Sequence, residues 1–325
     1  MRTFFTISLF LASVTGAIAQ RQNVYFIKNN GNYVATRDSA DYVRVVREPD
    51  SASTLYNVLE FYASGAQKLI GKSSKINPPQ FEGQCISYYA NGKRQSIVVY
   101  KNGVKAGDDM EFYPNGRLYA QFSFPLDNID RVSTLNGRAG NFIIMAERDS
   151  LGKDLVIDGN GYYRGYNDKF AYIEEEGPVK SGKRDGQWKG DFQNIGTTFT
   201  ETYKDGELLS GTAATKDGKV NSYVKTRWVS PQFNGGLEAF GAFLSRNTRY
   251  PAEARRNGVE GTVILRFVVE KDGGITNIMV SKSVDPFLDT EAVRVLSNSP
   301  KWIPGTQFGQ PVKVLYTVPI KFALK

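Results

Sequence analysis

Two rhythms of apolar and polar positions divide the chain. From about residue 24 to residue 226, short runs alternate apolar and polar side chains, as in Ser96 to Lys101 (SIVVYK) and Glu111 to Tyr113 (EFY). Aromatic and β-branched residues alternating with a period of two suit a pleated, half-buried surface. The runs are punctuated by an aromatic, a variable residue, a turn residue and a glycine. Copies are Tyr62-Ala63-Ser64-Gly65, Tyr89-Ala90-Asn91-Gly92, Tyr100-Lys101-Asn102-Gly103, Tyr113-Pro114-Asn115-Gly116 and Tyr203-Lys204-Asp205-Gly206. Gly65 to Gly92 is 27 positions and Gly92 to Gly116 is 24, a period of stacked supersecondary units. Asn-Gly and Asp-Gly accept the positive φ angles of tight hairpin turns, so the unit is a β-hairpin whose turn is set by glycine. Asp158-Gly159-Asn160-Gly161, Gly182 to Trp188 (GKRDGQW) and Asp217-Gly218 continue the rhythm less regularly.

The second rhythm begins at Ser230-Pro231. Leu237, Phe240, Phe243 and Leu244 share one helical face after Phe233-Asn234-Gly235-Gly236. Pro251 is placed to open a short helix from Ala252 to Asn257, which Gly258 ends. Val263, Leu265, Phe267 and Val269 then point one way, and Ile264, Arg266 and Val268 the other. Asp272-Gly273-Gly274 turns the chain into a second strand, Ile275 to Ser281. Leu288, Ala292, Val295 and Leu296 return to helical spacing up to Pro300. Val312, Val314, Tyr316, Val318, Ile320 and Phe322 make one face of a last strand. The order α-α-β-β-α-β packs helices over one face of a three-stranded antiparallel sheet.

The expected fold is therefore mainly β plus α+β: a hairpin array over 20–229, then a small sheet-and-helix domain over 230–325. The hairpin motifs resemble MORN-like repeats, whose glycines build turns. The second segment resembles the TonB C-terminal domain family through several ordered motifs. They are Tyr250-Pro251-x-x-Ala254, Gly258-x-x-Gly261-x-Val263, Phe267-x-Val269-x-x-Asp272-Gly273, Leu288-Asp289-x-Glu291-Ala292 and Pro300-x-Trp302-x-Pro304-Gly305. The resemblance implies partner binding. Such domains contact the N-terminal peptide of TonB-dependent outer-membrane receptors, laid along the last strand of the sheet. Carried over by position, the candidate contacts are Asn247, Thr248, Arg249, Tyr250 and Pro251, with Val312, Val314, Tyr316, Val318, Ile320 and Phe322. Family members often carry a glutamine where this chain has Asn247, which keeps the amide on a shorter arm. Tyr250-Pro251 has a second reading, as the start of a helix, and Trp302 with Pro304-Gly305 reads as core and turn. Pro319 cannot donate a ladder hydrogen bond, which places its strand at an edge or beside a bulge.

Composition narrows the chemistry. The chain has no histidine, which removes Ser-His-Asp and Cys-His catalysis, histidine-ligated zinc and the usual general base near neutral pH. No Asp/Glu pairing is evident, so the sequence reads as a non-enzyme with no cofactor. The acidic stretch from Asp149 to Asn160 lacks the regular calcium-loop spacing. Cys85 is the single cysteine, so no intramolecular disulfide forms, and its place in a strand makes it a packing residue. Net charge is +8, without a dense Lys/Arg run, which gives no support to nucleic-acid binding.

The N-terminus reads as an export signal: Arg2, an apolar stretch from Phe4 to Val14, then Ala17 and Ala19 as the small-residue pair, with cleavage between Ala19 and Gln20. The chain is then periplasmic. Uncleaved, the same stretch would be an inner-membrane anchor and the protein an energy transducer docked on the ExbB/ExbD motor. An energy-transducing TonB carries a membrane-helix histidine and a Pro-rich spacer, and this sequence has neither. A third reading is an envelope scaffold whose array binds peptidoglycan or lipid. The expected mature protein begins at Gln20 in N-terminal sequencing, and a chain that retains Met1 contradicts export with cleavage.

Overall fold

Each alternating run becomes a strand and most turn glycines become reversals. The computed structural model describes residues 21–126 and 142–324; the expected export signal, with Ala19 and Gln20, lies outside the described residues. The chain divides into two compact units between Asn160 and Gly161.

The first unit is an antiparallel meander. Its strands are β1 (Gln22–Ile27), β2 (Tyr33–Val34), β3 (Tyr42–Arg47), β4 (Tyr56–Tyr62), β5 (Gln67–Ser73), β6 (Phe81–Tyr88), β7 (Arg94–Lys101), β8 (Val104–Phe112), β9 (Leu118–Phe124), β10 (Ile143–Arg148) and β11 (Asp154–Ile157). From β3 to β11 each strand pairs with the next, and β1 pairs with both β2 and β3.

The repeated motif makes two different turns. In Tyr89–Gly92 the tyrosine opens the turn: its N–H donates to the Lys93 carbonyl at 2.8 Å, and the Gly92 N–H donates back to Tyr89 at 2.9 Å. Gly92 takes φ 79°, the left-handed position of a type I turn closed by a bulge. The same bond pair recurs at Tyr62–Ala66, Tyr113–Arg117 and Asp149–Lys153. In Tyr100–Gly103 the turn is Asn102-Gly103 alone, with φ 54° and 77°, a two-residue turn with both residues left-handed. Asp205-Gly206 is of this second kind, with φ 49° and 88°. The five sequence copies are thus two classes that share letters because both need glycine at positive φ.

The first class also carries bonds that pattern reading missed. The Tyr62 hydroxyl donates to the Tyr88 carbonyl at 2.7 Å, Tyr89 to Phe112 at 2.6 Å, and Tyr113 to Arg148 at 2.9 Å. Asn91 and Asn115 donate their amides to the carbonyls of Pro114 and Ser150, at 2.9 and 3.1 Å. Each turn tyrosine therefore staples its hairpin to the next one. Two acids are buried among these strands with cations beside them. Arg44 and Lys68 each lie 2.7 Å from Glu60, and Lys105 lies 2.6 Å from Asp109. Cys85 is buried, and burial first, then Glu60, pushes its thiol up to about 12. It is protonated and unreactive at neutral pH.

The second unit opens with further hairpin strands: β12 (Asn160–Tyr166), β13 (Ile173–Lys180), β14 (Lys183–Arg184), β15 (Gly186–Phe192), β16 (Thr197–Lys204), β17 (Glu207–Thr215) and β18 (Val220–Tyr223). Along β16 burial alternates strictly: Thr197, Phe199, Glu201 and Tyr203 face in, and Thr198, Thr200, Thr202 and Lys204 face out. After β19 (Trp228–Val229) come α1 (Gly236–Asn247), α2 (Ala252–Arg256), β20 (Gly261–Val269), β21 (Ile275–Lys282), α3 (Pro286–Ser297), β22 (Thr306–Gln307), β23 (Gln310–Pro311) and β24 (Val314–Phe322). β21, β20 and β24 form the expected three-stranded antiparallel sheet. Val263, Leu265, Phe267 and Val269 are fully buried against Leu288, Ala292, Val295 and Leu296 of α3. Trp302 is core, ringed by Phe233, Phe240, Phe267 and Tyr316.

Two details differ from the sequence reading. Alternation extended the last strand back to Val312, but β24 starts at Val314, and the Val312 N–H turns to the Gly305 carbonyl at 2.9 Å. The residues before it form a second small sheet, β19-β22-β23, whose two-residue strands are too short for a period to register. Among the described residues no helix is long and apolar enough to cross a membrane.

Replacing Tyr89 with phenylalanine leaves the Phe112 carbonyl without its hydroxyl donor. The expected cost is about 1 kcal/mol, read as a lower urea midpoint with unchanged slope; an unshifted midpoint contradicts the staple.

Candidate partner-binding site

The C-terminal sheet has two outer strands, and their edges are unlike. The β20–β21 register slips twice, between Ile264 and Leu265 and between Arg266 and Val268, and Asn277 in β21 sits at φ 54°. A bulged edge resists the addition of another strand. The β20–β24 ladder runs from Gly261↔Phe322 to Val269↔Val314 with no slip, and β24 pairs with no other described strand. Its far side is a straight row of main-chain groups.

Pro319 fixes which groups these are. It stands opposite Ile264 in the unbroken ladder. Proline has no N–H, so it fits an antiparallel ladder where its nitrogen faces away from the paired strand. By alternation Leu315, Thr317 and Lys321 turn their N–H groups to the same open edge. All four carbonyls at 315, 317, 319 and 321 point there too. Tyr316, Val318 and Ile320 bond to β20 instead.

The sequence-derived candidates divide accordingly. Val318, Ile320 and Phe322 are buried at 5%, 2% and 2% exposure, and Val314 and Tyr316 are half-buried, so these side chains serve the core. The side chains accessible beside the edge are Leu315, Thr317, Pro319 and Lys321, of which the sequence reading named only Pro319, as the mark of an edge. The alternation that marked the inner face marked these equally, as its complement. Arg266, Lys282 and Lys321 are exposed on the three strands, and no acidic residue lies within β20, β21 or β24.

The second candidate stretch, 247–251, is fixed by α3. Glu291 accepts the Arg249 N–H at 2.5 Å, and Arg294 donates to both Glu291 oxygens at 2.7 Å. Arg294 also donates to the Asn247 carbonyl at 2.7 Å. The Asn247 amide bonds the Phe243 carbonyl at 2.7 Å, and the Thr248 N–H bonds Leu244 at 2.8 Å, so both finish α1. Pro251 is the N-cap of α2 rather than its first residue. Tyr250 donates its hydroxyl to the Val259 carbonyl, and its ring meets Phe322 edge-on, centroids 6.0 Å apart. The fold thus brings Tyr250 to the carboxyl end of β24, whereas Val314 and Tyr316 lie at the far end, where Tyr316 packs on Trp302.

Glu291, quoted from the sequence only as a motif position, is a carboxylate on the buried face of α3, a role that sequence reading missed. Burial pushes its carboxyl up, but the hydrogen bonds from Arg294 and the Arg249 N–H outweigh burial and hold it below the usual glutamate range. A depressed folded-state value means the contribution is complete above the unfolded value of about 4.3 and is lost as pH falls through the folded one. The Arg249 amide, corrected for intrinsic rate, is therefore expected to exchange faster on acidification below about pH 4. Glu291→Gln should abolish that pH dependence; a wild-type amide indifferent to pH contradicts the assignment.

Comparison with curated proteins gives no match. Among solved structures, two solution structures of the Helicobacter pylori TonB C-terminal domain are similar to this chain. One is 28% identical, with 27% of this chain and 94% of that chain covered at a TM-score of 0.23. The other is 26% identical, with 29% and 89% covered at a TM-score of 0.23. The family model that matches, over residues 246–324, which hold both α2 and the whole β21-β20-β24 sheet, is that of the Gram-negative bacterial TonB protein C-terminal domain.

Proposed function

We propose that this is an exported envelope protein that binds an extended segment of a partner by adding it as a fourth strand along β24. The partner in this reading is the N-terminal peptide of a TonB-dependent outer-membrane receptor. The single observation behind it is the unslipped β24 ladder with its far side unpaired, next to a β21 edge that is bulged. A family match over residues 246–324 supports the same reading. Main-chain pairing supplies affinity with little demand on side chains. Beside the edge Leu315 offers an apolar contact, and the exposed Arg266, Lys282 and Lys321 favour a segment that carries acidic groups. The role is binding rather than catalysis.

Strand addition asks for N–H donors at Leu315, Thr317 and Lys321. Thr317→Pro removes the central one without touching the bonds that β24 makes to β20. Titration of the full chain with receptor N-terminal peptides is expected to show at least about tenfold weaker binding for this variant, close to 1.4 kcal/mol. Its thermal unfolding should be nearly unchanged. Binding should also weaken with added salt, since the cations are exposed. Undiminished affinity in Thr317→Pro sinks the proposal.

A further inference from the structure

The tip of the β22–β23 hairpin is Phe308-Gly309, and both residues are left-handed, with φ 50° and 73°. A two-residue turn of this kind takes Asn or Gly readily, and a bulky aromatic there is strained. Here the strained residue is also 2% exposed. Its ring sits among Phe192 (5.8 Å), Phe199 (5.5 Å, stacked) and Tyr223 (5.6 Å, edge-on), all from the hairpin strands β15, β16 and β18 of the same unit. Strain held in place by surrounding contacts points to a role for the side chain.

Arg227 closes the socket. Its carbonyl accepts the Phe308 N–H at 2.6 Å, and its guanidinium lies 4.3 Å from the Phe199 ring centre and 5.5 Å from that of Phe308. It donates to Glu201 at 2.8 and 2.6 Å, and to Glu175 at 3.1 Å. Glu201 also accepts the hydroxyls of Tyr203 and Tyr223 at 2.9 and 2.8 Å, and Arg184 bonds Glu175 at 2.5 Å. The β19–β22 pairing, Trp228↔Gln307 and Val229↔Thr306, runs beside it. Only Val312 and Lys313 separate β23 from β24.

We propose that Phe308 is the positioning residue of the binding edge: a plug that locks the C-terminal sheet to hairpins β15–β18 as one rigid body. β24 is then held to the hairpins through β23 and Phe308 as well as through the connection from Val224 to Gln232. The joint stands apart from the partner reading; only its bearing on the binding edge rests on that reading.

Phe308→Asn separates this role from that of an ordinary turn, because asparagine suits the left-handed angle but empties the socket. Spin labels at Thr202→Cys and Lys282→Cys, both exposed positions, report the distance between hairpins and sheet in the full chain, and buried Cys85 stays unlabelled. The expected result is one narrow distance distribution in the parent and at least about a twofold broadening with Phe308→Asn. Amides of Val263–Val269 should still exchange slowly, since local opening leaves the core strand intact. A parent distribution that is already broad, or one unchanged by Phe308→Asn, overturns the joint. Loss of Val263–Val269 protection also overturns it, because Phe308 would then belong to the sheet's own core. Peptide binding enters none of these readouts, so failure of the partner reading leaves the test intact.

Discussion

A strand satisfies its main-chain hydrogen bonds only where it has a neighbour, and that constraint organises every part of this chain. From β3 to β11 each strand is completed by the next, so the chain spends its length on reversals and places glycine where the backbone must turn left-handed. In the C-terminal sheet one side of β24 has no partner strand among the described residues, and its main-chain groups are left to water. The opposite border is spoiled for pairing by its slips and by Asn277, while β24 is kept straight. Pro319 removes one donor from the open row and leaves its carbonyls intact, which blunts indiscriminate pairing.

Around that edge the fold invests in rigidity. Glu291 and Arg294 tie the chain between α1 and α2 to α3, and Tyr250 then meets Phe322 at the end of the strand. At the other end, Trp302 and Tyr316 pack beneath the start of β24. An edge that recruits an extended segment loses less entropy when it is already ordered. Buried charge is treated in the same way: Glu60, Asp109, Glu201 and Glu291 each lie beside Lys or Arg, which avoids the cost of an isolated carboxylate.

Much of this was legible in the sequence, for reasons that differ by element. The strand from Val263 to Val269 and the helix through Leu288 and Leu296 announced themselves because each has one fully buried face. The small sheet β19-β22-β23 did not, since a strand of two residues has no period. The five Tyr-x-x-Gly copies looked alike because glycine is needed in both turn classes; which residue opens the turn depends on the register of the preceding strand. The tyrosine staples were hidden, as their acceptors are main-chain carbonyls some 23 to 35 residues away. The roles of Glu291, quoted from the sequence only as a motif position, and of Glu201 were not legible, because their partners, Arg294 with the Arg249 N–H for one and Arg227 for the other, come together only in the fold. Candidate residues on β24 were drawn from its apolar side, whereas the main-chain groups that face the open edge belong to the alternate positions.

That alternation provides the most direct measurement. Amide exchange across β24 is followed residue by residue, with and without a saturating receptor N-terminal peptide. Strand addition requires Leu315, Thr317 and Lys321 to become protected on binding, while Tyr316, Val318 and Ile320, already bonded to β20, stay as they were. Uniform protection along the strand, or protection confined to the β21 side, would mean that no segment pairs with the β24 edge.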